Sequence, residues 1–89
     1  MNYKIEFTNQ FKREAKLCRK KNYDISLLEE VMLLLRNKGE LPKKYKAHIL
    51  SGDYEGYWEC HISPDWLLVY KITTTHVYFA RTGTHSDLF

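Results

Sequence analysis

The sequence predicts an α+β fold: an N-terminal strand, an antiparallel helix hairpin, then a mainly antiparallel sheet of about four strands. Two observations carry the prediction. Between Thr8 and Gly39 apolar residues recur at helical spacings of three and four. Beyond Pro42 the pattern changes to short alternating or apolar runs separated by turn residues. Helices segregated from hairpin-linked strands specify a sheet backed by a helix pair rather than a βαβ repeat. The 89 residues make a single domain, 1–89, with a core near the lower limit for independent stability. A hydrophobic fraction of 44%, including 15% aromatics, argues against a disordered chain.

Tyr3-Lys4-Ile5-Glu6-Phe7 alternates with period two and reads as the first strand. Thr8 is a good N-cap for a helix from about Asn9 to Lys21, whose apolar stripe is Phe11, Ala15 and Cys18. Lys12, Arg13, Lys16, Arg19, Lys20 and Lys21 cover the rest of its surface. A second helix begins near Asp24 or Ser26, where Ser26 and Glu29 have capping-box spacing. Ile25, Leu28, Val31, Met32 and Leu35 mark its core face, and Leu27 and Leu34 widen it. Gly39 suits the left-handed position that closes a helix, and Pro42 prevents its resumption. A basic loop, Lys43-Lys44-Tyr45-Lys46, leads into Ala47–Leu50. The next strands are Tyr57–Ile62, Trp66–Ile72 and His76–Arg81. Strand parity puts Trp58, Cys60 and Ile62 on the core face and Tyr57, Glu59 and His61 on the other. Arg81 is in phase with Val77 and Phe79. Either a bulge turns it to the other face, or the open side of the sheet is partly apolar.

No apolar run approaches the ~20 residues that span a bilayer. The N-terminus lacks the apolar stretch of a secretory signal, so a cytoplasmic location and no membrane partner are expected. Cys18 and Cys60 read as small buried residues rather than a disulfide framework. The charge is divided unevenly. Residues 1–46 carry 12 Lys/Arg against 6 Asp/Glu, and residues 47–89 carry 2 against 5. That split fits a polyanion or an acidic protein on the first half, and equally a solvated helix face.

All four histidines lie between His48 and His85, in the sheet half. No His-x-x-x-His, HExxH or Cys-x-x-Cys spacing occurs, so no metal and no cofactor are expected. Phosphate-binding glycine loops and GxSxG elbows are missing too. Acid–base residues beside arginine and aromatics suit metal-free cleavage of RNA. RNA carries its own nucleophile, the ribose 2′-OH, next to the scissile phosphate. The enzyme must supply a base, an acid for the departing 5′-oxygen, and cations for the charge on phosphorus. Histidine titrates in the right range for the proton transfers. Arginine binds an oxyanion bidentately, and aromatic rings hold unstacked bases.

The order of residues goes further than this chemistry. His48-x-Leu50-x-Gly52-x-Tyr54-x-Gly56-Tyr57, His61-x-x-Pro64-Asp65-Trp66-Leu67-Leu68-Val69-Tyr70-Lys71 and Arg81-Thr82-Gly83-Thr84-His85-Ser86-Asp87-Leu88-Phe89 closely resemble the YafQ branch of the RelE toxin superfamily. The resemblance implies a small ribonuclease fold and a type II toxin that cuts messenger RNA in the A site of the 70S ribosome without a metal. It implies a cognate antitoxin as partner, DinJ/RelB-like and of ribbon-helix-helix type, through which the complex would bind operator DNA. Carried over by position, it implies roles for His48, His61, Asp65, Arg81 and His85 in catalysis, and for Trp66 and Phe89 in holding substrate. His85 would be the general acid, Arg81 would stabilise the phosphorane, and Asp65, His48 or His61 would be the base. Lys43, Lys44 and Lys46 would grip RNA phosphates. Trp58 stands where relatives can carry a basic residue, and His76 lies outside the motif. The competing readings are a non-catalytic binder of the same fold, like the ParE relatives, and a degenerate toxin serving only as co-repressor. The full set of acid–base residues argues against a pure binder.

Overall fold

The structure is a computed structural model describing residues 2–89. Strand β1 (Lys4–Phe7) is followed by helix α1 (Asn9–Lys20) and helix α2 (Ile25–Lys38). A 3₁₀ turn at Lys43–Tyr45 leads to the short strand β2 (His48–Ile49), and a second at Gly52–Tyr54 leads to β3 (Trp58–Ser63). Strands β4 (Trp66–Ile72) and β5 (His76–Gly83) and a short helix α3 (His85–Leu88) complete the chain. The five strands form one sheet in the order β1-β5-β4-β3-β2. β2 to β5 are antiparallel neighbours as expected, and β1 adds a parallel edge strand beside β5.

The helices begin and end for local reasons. Thr8 caps α1, its hydroxyl accepting the Phe11 N–H at 2.9 Å. The same hydroxyl donates to the Ala80 carbonyl at 2.7 Å, tying the cap to the sheet. α2 is capped by Asp24, whose carboxylate accepts the Ser26 N–H at 3.1 Å. The expected Ser26/Glu29 capping box does not form, because Ser26 is already inside the helix. Gly39 ends α2 in the left-handed region at φ 71°.

Two apolar clusters lie on opposite faces of the sheet. The larger joins Phe11, Cys18, Leu28, Val31 and Leu35 of the helices to Cys60, Leu68, Tyr70, Val77 and Phe79 of the strands. Trp58 packs against it, as its parity predicts. The smaller comprises Leu67, Val69, Ala80 and Leu88, with Leu50, Tyr54 and Tyr57 around it. The open face is therefore partly apolar, and a bulge is present as well. Tyr70 pairs with Phe79 but Val69 pairs with Arg81, so β5 contains one extra residue at this point. Continued in the first register, Arg81 would lie opposite Leu68 on the helix side. The shift places it opposite Val69, facing away.

Gly39 supplies a direct test of how α2 meets the N-terminal strand. A Cβ there would lie 2.7 Å from the Tyr3 ring, on top of the unfavourable left-handed backbone. Gly39→Ala should destabilise the fold by about 1–2 kcal/mol or more. Thermal and urea melts should show a drop in melting temperature of several degrees.

Candidate active site

The sheet register assembles the site. His48 pairs with Glu59, Glu59 with Val69, and Val69 with Arg81, so these residues form one row across four strands on the face away from the helices. His61, Leu67 and Gly83 form the next row. Gly83 then passes the chain into α3, which begins with His85. A capping box holds that turn: the Asp87 N–H reaches the Thr84 hydroxyl at 3.2 Å, and the Thr84 N–H reaches the Asp87 carboxylate at 3.1 Å. The terminal helix had no clear sequence signal because a four-residue helix carries no periodicity. Its Thr84-x-x-Asp87 box was the one available cue.

Two imidazole–carboxylate pairs result. His85 Nδ1 lies 3.0 Å from Asp65 Oδ1, and the His85 backbone N–H points at the same oxygen at 3.4 Å. These hydrogen bonds hold the Asp65 carboxyl below its ordinary pKa of 3.8. Both side chains are open to solvent. On the other side His48 Nε2 lies 3.4 Å from Glu59 Oε1, and His48 Nδ1 faces the Lys46 carbonyl at 3.0 Å. Glu59 is only 5% exposed, a buried carboxylate that the sequence reading left out of the site. Its open-face parity was the signal that could have found it. His61 stands between the pairs, its ring centroid 5.8 Å from that of His85. An oxygen of Glu59 and a ring nitrogen of each of His61 and His85 lie within 4.8 Å of one another. Two imidazoles and a carboxylate are a donor set suited to borderline divalent metals. Spacing along the chain gave no hint of it, because Glu59 and His61 share strand β3 while His85 comes from the terminal helix.

The remaining predicted residues divide. Phe89 is 59% exposed and sits edge-on to the Tyr54 ring at 5.7 Å. Lys43, Lys44 and Lys46 are exposed around the 3₁₀ turn. Lys44 and Lys46 line a cleft of about 440 Å³ that runs to His61, Ser63 and Pro64. Trp66 lies elsewhere than expected for a substrate contact. It is 3% exposed, its indole N–H donates to Thr82 Oγ1 at 2.9 Å, and its ring meets Tyr23 edge-on at 5.0 Å. The apolar pocket beneath the site takes the indole because only one polar atom needs a partner there. Arg81 is 14% exposed at its side chain and ion-paired to Glu14 at 2.6 Å, which raises its pKa further. His76 is at the far end of β5, stacked on Tyr78 and bonded to Thr75. Cys18 and Cys60 are buried, and desolvation pushes the Cys60 thiol up to about 12, so neither serves as a nucleophile.

Comparison with known proteins gives this face a family. Residues 3–89 match the model of the bacterial toxin of type II toxin–antitoxin system, YafQ. The chain belongs to the YafQ toxin family. It is 43% identical to the mRNA interferase toxin YafQ of Escherichia coli K12 over 86 residues, 96% of this chain and 94% of that one. The crystal structure of the E. coli DinJ–YafQ toxin–antitoxin complex matches at TM-score 0.92 and 41% identity, covering 100% of this chain and 99% of that one. A metal-bound toxin from Helicobacter pylori matches at TM-score 0.89 and 37% identity, with 100% of both chains covered. Among the described residues of this YafQ-family toxin, no helix is long and apolar enough to cross a membrane.

The Asp65–His85 pair makes a prediction for titration. Because the Asp65 pKa is lowered in the fold, the pair stabilises the folded state above the ordinary value of 3.8. That contribution disappears as pH falls through the lowered value. His85→Ala should return the Asp65 carboxyl toward its ordinary value, read by carboxyl-carbon NMR titration. An unmoved Asp65 titration would mean that His85 is not its principal partner.

Proposed function

We propose that this toxin, an endoribonuclease of the mRNA interferase kind, cuts messenger RNA in the ribosomal A site by attack of a ribose 2′-OH on the adjacent phosphate. The convergence of Glu59, His61 and His85 within 4.8 Å, flanked by the Asp65 and His48 partners, carries this reading. Transesterification needs one base and one acid on either side of a phosphate. His85 is the acid. Asp65 occupies its Nδ1 side, leaving Nε2 for the departing oxygen. Because Asp65 is engaged with His85, the base falls to the histidines. His61 is the nearer ring, and His48 with Glu59 supplies a second imidazole held by a carboxylate. As the 2′-oxygen bonds to phosphorus, its proton passes to the base. The bond from phosphorus to the 5′-oxygen breaks as His85 protonates that oxygen. The products are a 2′,3′-cyclic phosphate and a 5′-hydroxyl, and no water or metal enters the balance.

The surroundings suit a ribosome-bound substrate. Phe89 offers an exposed ring for a base of the codon, and Lys43, Lys44 and Lys46 meet backbone phosphates beside the His61 cleft. The basic face of α1 contributes further phosphate contacts. A DinJ-like antitoxin neutralises the toxin, as the E. coli complex suggests, and carries any operator DNA binding. The toxin then acts in the cytoplasm, where its ribosomes are.

His85→Ala should lower cleavage on translating ribosomes by ~10²–10⁴-fold while barely changing the melting temperature. Retained cleavage would remove His85 from the acid role. Chelators should leave activity intact. Zinc or copper(II), seated on Glu59, His61 and His85, should inhibit by taking the imidazole lone pairs. Metal-dependent activation would overturn the metal-free mechanism. Naked RNA should be cut far more slowly than ribosome-bound message, and equal rates would remove the ribosome from the scheme.

A further inference from the structure

Arg81 is held in an unusual way for a group that is to meet phosphate. A guanidinium has five N–H donors in a fixed fork, and five acceptor contacts surround this one. Nε and Nη2 meet the two Glu14 carboxylate oxygens at 3.3 and 2.6 Å. Nη1 meets the Tyr54 hydroxyl at 3.1 Å and the Leu88 carbonyl at 3.3 Å, and Nη2 also meets the Asp87 carbonyl at 3.4 Å. Its charge is already balanced by a carboxylate that is 18% exposed. An incoming phosphate would have to displace an existing partner.

What the guanidinium does hold is the end of the chain. Asp87 and Leu88 are the last residues of α3, and their carbonyls lack helical partners. A cation at that end caps them and favours the helix. A helix of one turn does not persist by its own hydrogen bonds, so α3 depends on its contacts. α3 begins with His85 and is followed by Phe89, and the Tyr54 ring bonded to Arg81 is the ring that meets Phe89. Glu14 in turn is fixed at both ends of its carboxylate, since Oε1 also accepts the Thr82 N–H at 3.2 Å. That bond occupies the stretch of β5 beyond the reach of β1, whose pairing stops at Phe79.

We infer that Glu14 is a positioning residue for cleavage: it fixes the Arg81 fork, which sets α3 and so aims His85 and Phe89. The inference rests on the assignment of His85 as the acid. It separates cleanly from a direct phosphate contact by Arg81, because the two give Glu14 opposite effects. If Arg81 met the phosphate, Glu14 would mask it, and its removal would leave cleavage unchanged or faster.

The test is single-turnover cleavage on programmed ribosomes by the wild-type toxin and the Glu14→Ala, Glu14→Gln, Arg81→Ala, Arg81→Lys and Glu14→Ala/Arg81→Ala variants. NMR signals of the His85 ring and the Phe89 amide are followed in parallel. Glu14→Ala should slow the cleavage step on the order of 10²-fold, with the half-saturating ribosome concentration changed less than about threefold. The double variant should be no slower than Arg81→Ala, because both substitutions release the same helix. The His85 and Phe89 signals should shift in Glu14→Ala and Arg81→Ala alike. Glu14→Gln, which keeps an acceptor for Thr82 and Arg81, should recover part of the rate. Arg81→Lys should remain slow with shifted signals, since lysine keeps the charge and loses the fork. Glu14→Ala cleaving as fast as wild type while Arg81→Ala is inactive would overturn the inference, as would unmoved His85 and Phe89 signals. Should Glu14→Ala fail to fold, Glu14→Gln and Arg81→Lys make the same comparison. Normal cleavage by His85→Ala would instead defeat the acid assignment, and the NMR signals would still report whether Glu14 sets α3.

Discussion

The site depends on a single extra residue in β5. Side chains alternate along a strand, so a one-residue shift in pairing exchanges every side chain between faces. Up to Phe79 the last strand serves the core, sending Val77 and Phe79 toward the helices. Past the bulge it serves the open face, bringing Arg81 level with Val69, Glu59 and His48. β5 lies between β1 and β4 in the sheet, and the change is fixed by its pairing with β4. The bulged stretch lies beyond the end of the β1 pairing, where the Thr8 hydroxyl takes over and donates to the Ala80 carbonyl. The same strand thus supports a packed core at one end and a polar site at the other.

The polar groups on that face follow a common arrangement. Each outer imidazole has a carboxylate: Asp65 for His85 and Glu59 for His48. The carboxylates differ in setting. Asp65 is open to solvent, and its interaction with His85 is a local hydrogen bond. Glu59 lies buried under the sheet face, where an unpartnered charge would be costly. Beneath them the Trp66 indole, the Thr82 hydroxyl and the Leu67 carbonyl form a buried relay of hydrogen bonds at 2.9 and 2.8 Å. That relay ties the start of β4 to the end of β5, below the start of α3. The polar groups beneath His85 are therefore paired even though the imidazole itself is exposed.

Much of this could be read from residue order. The Thr8 cap, the helix stripes, the Gly39 stop and the three long strands follow from periodicity and turn chemistry, which act over a few residues. The resemblance to the YafQ branch rested on spaced residues from His48 onward, and the family match covers that segment. Other features were not legible. α3 is too short to show a period, and the α2 cap went to Asp24 because its side chain reaches the Ser26 N–H first. Glu59 looked like an ordinary polar residue on an open face until burial made it a carboxylate shared by the site. Trp66 was expected to hold substrate, yet its ring fills the space beside Tyr23.

The sequence by itself determined the α+β class, the residue types available for acid–base chemistry and the family. These depend on local pattern and on the order of side chains. Only the tertiary structure decided which of those side chains meet. The face on which Arg81 lies turns on a pairing register between strands, and its occupation turns on Glu14, 67 positions earlier in the chain. Neither leaves a periodic trace. Registers and long-range ion pairs are settled by the packing of the sheet against both helices, because a one-residue shift moves side chains between the buried and open faces.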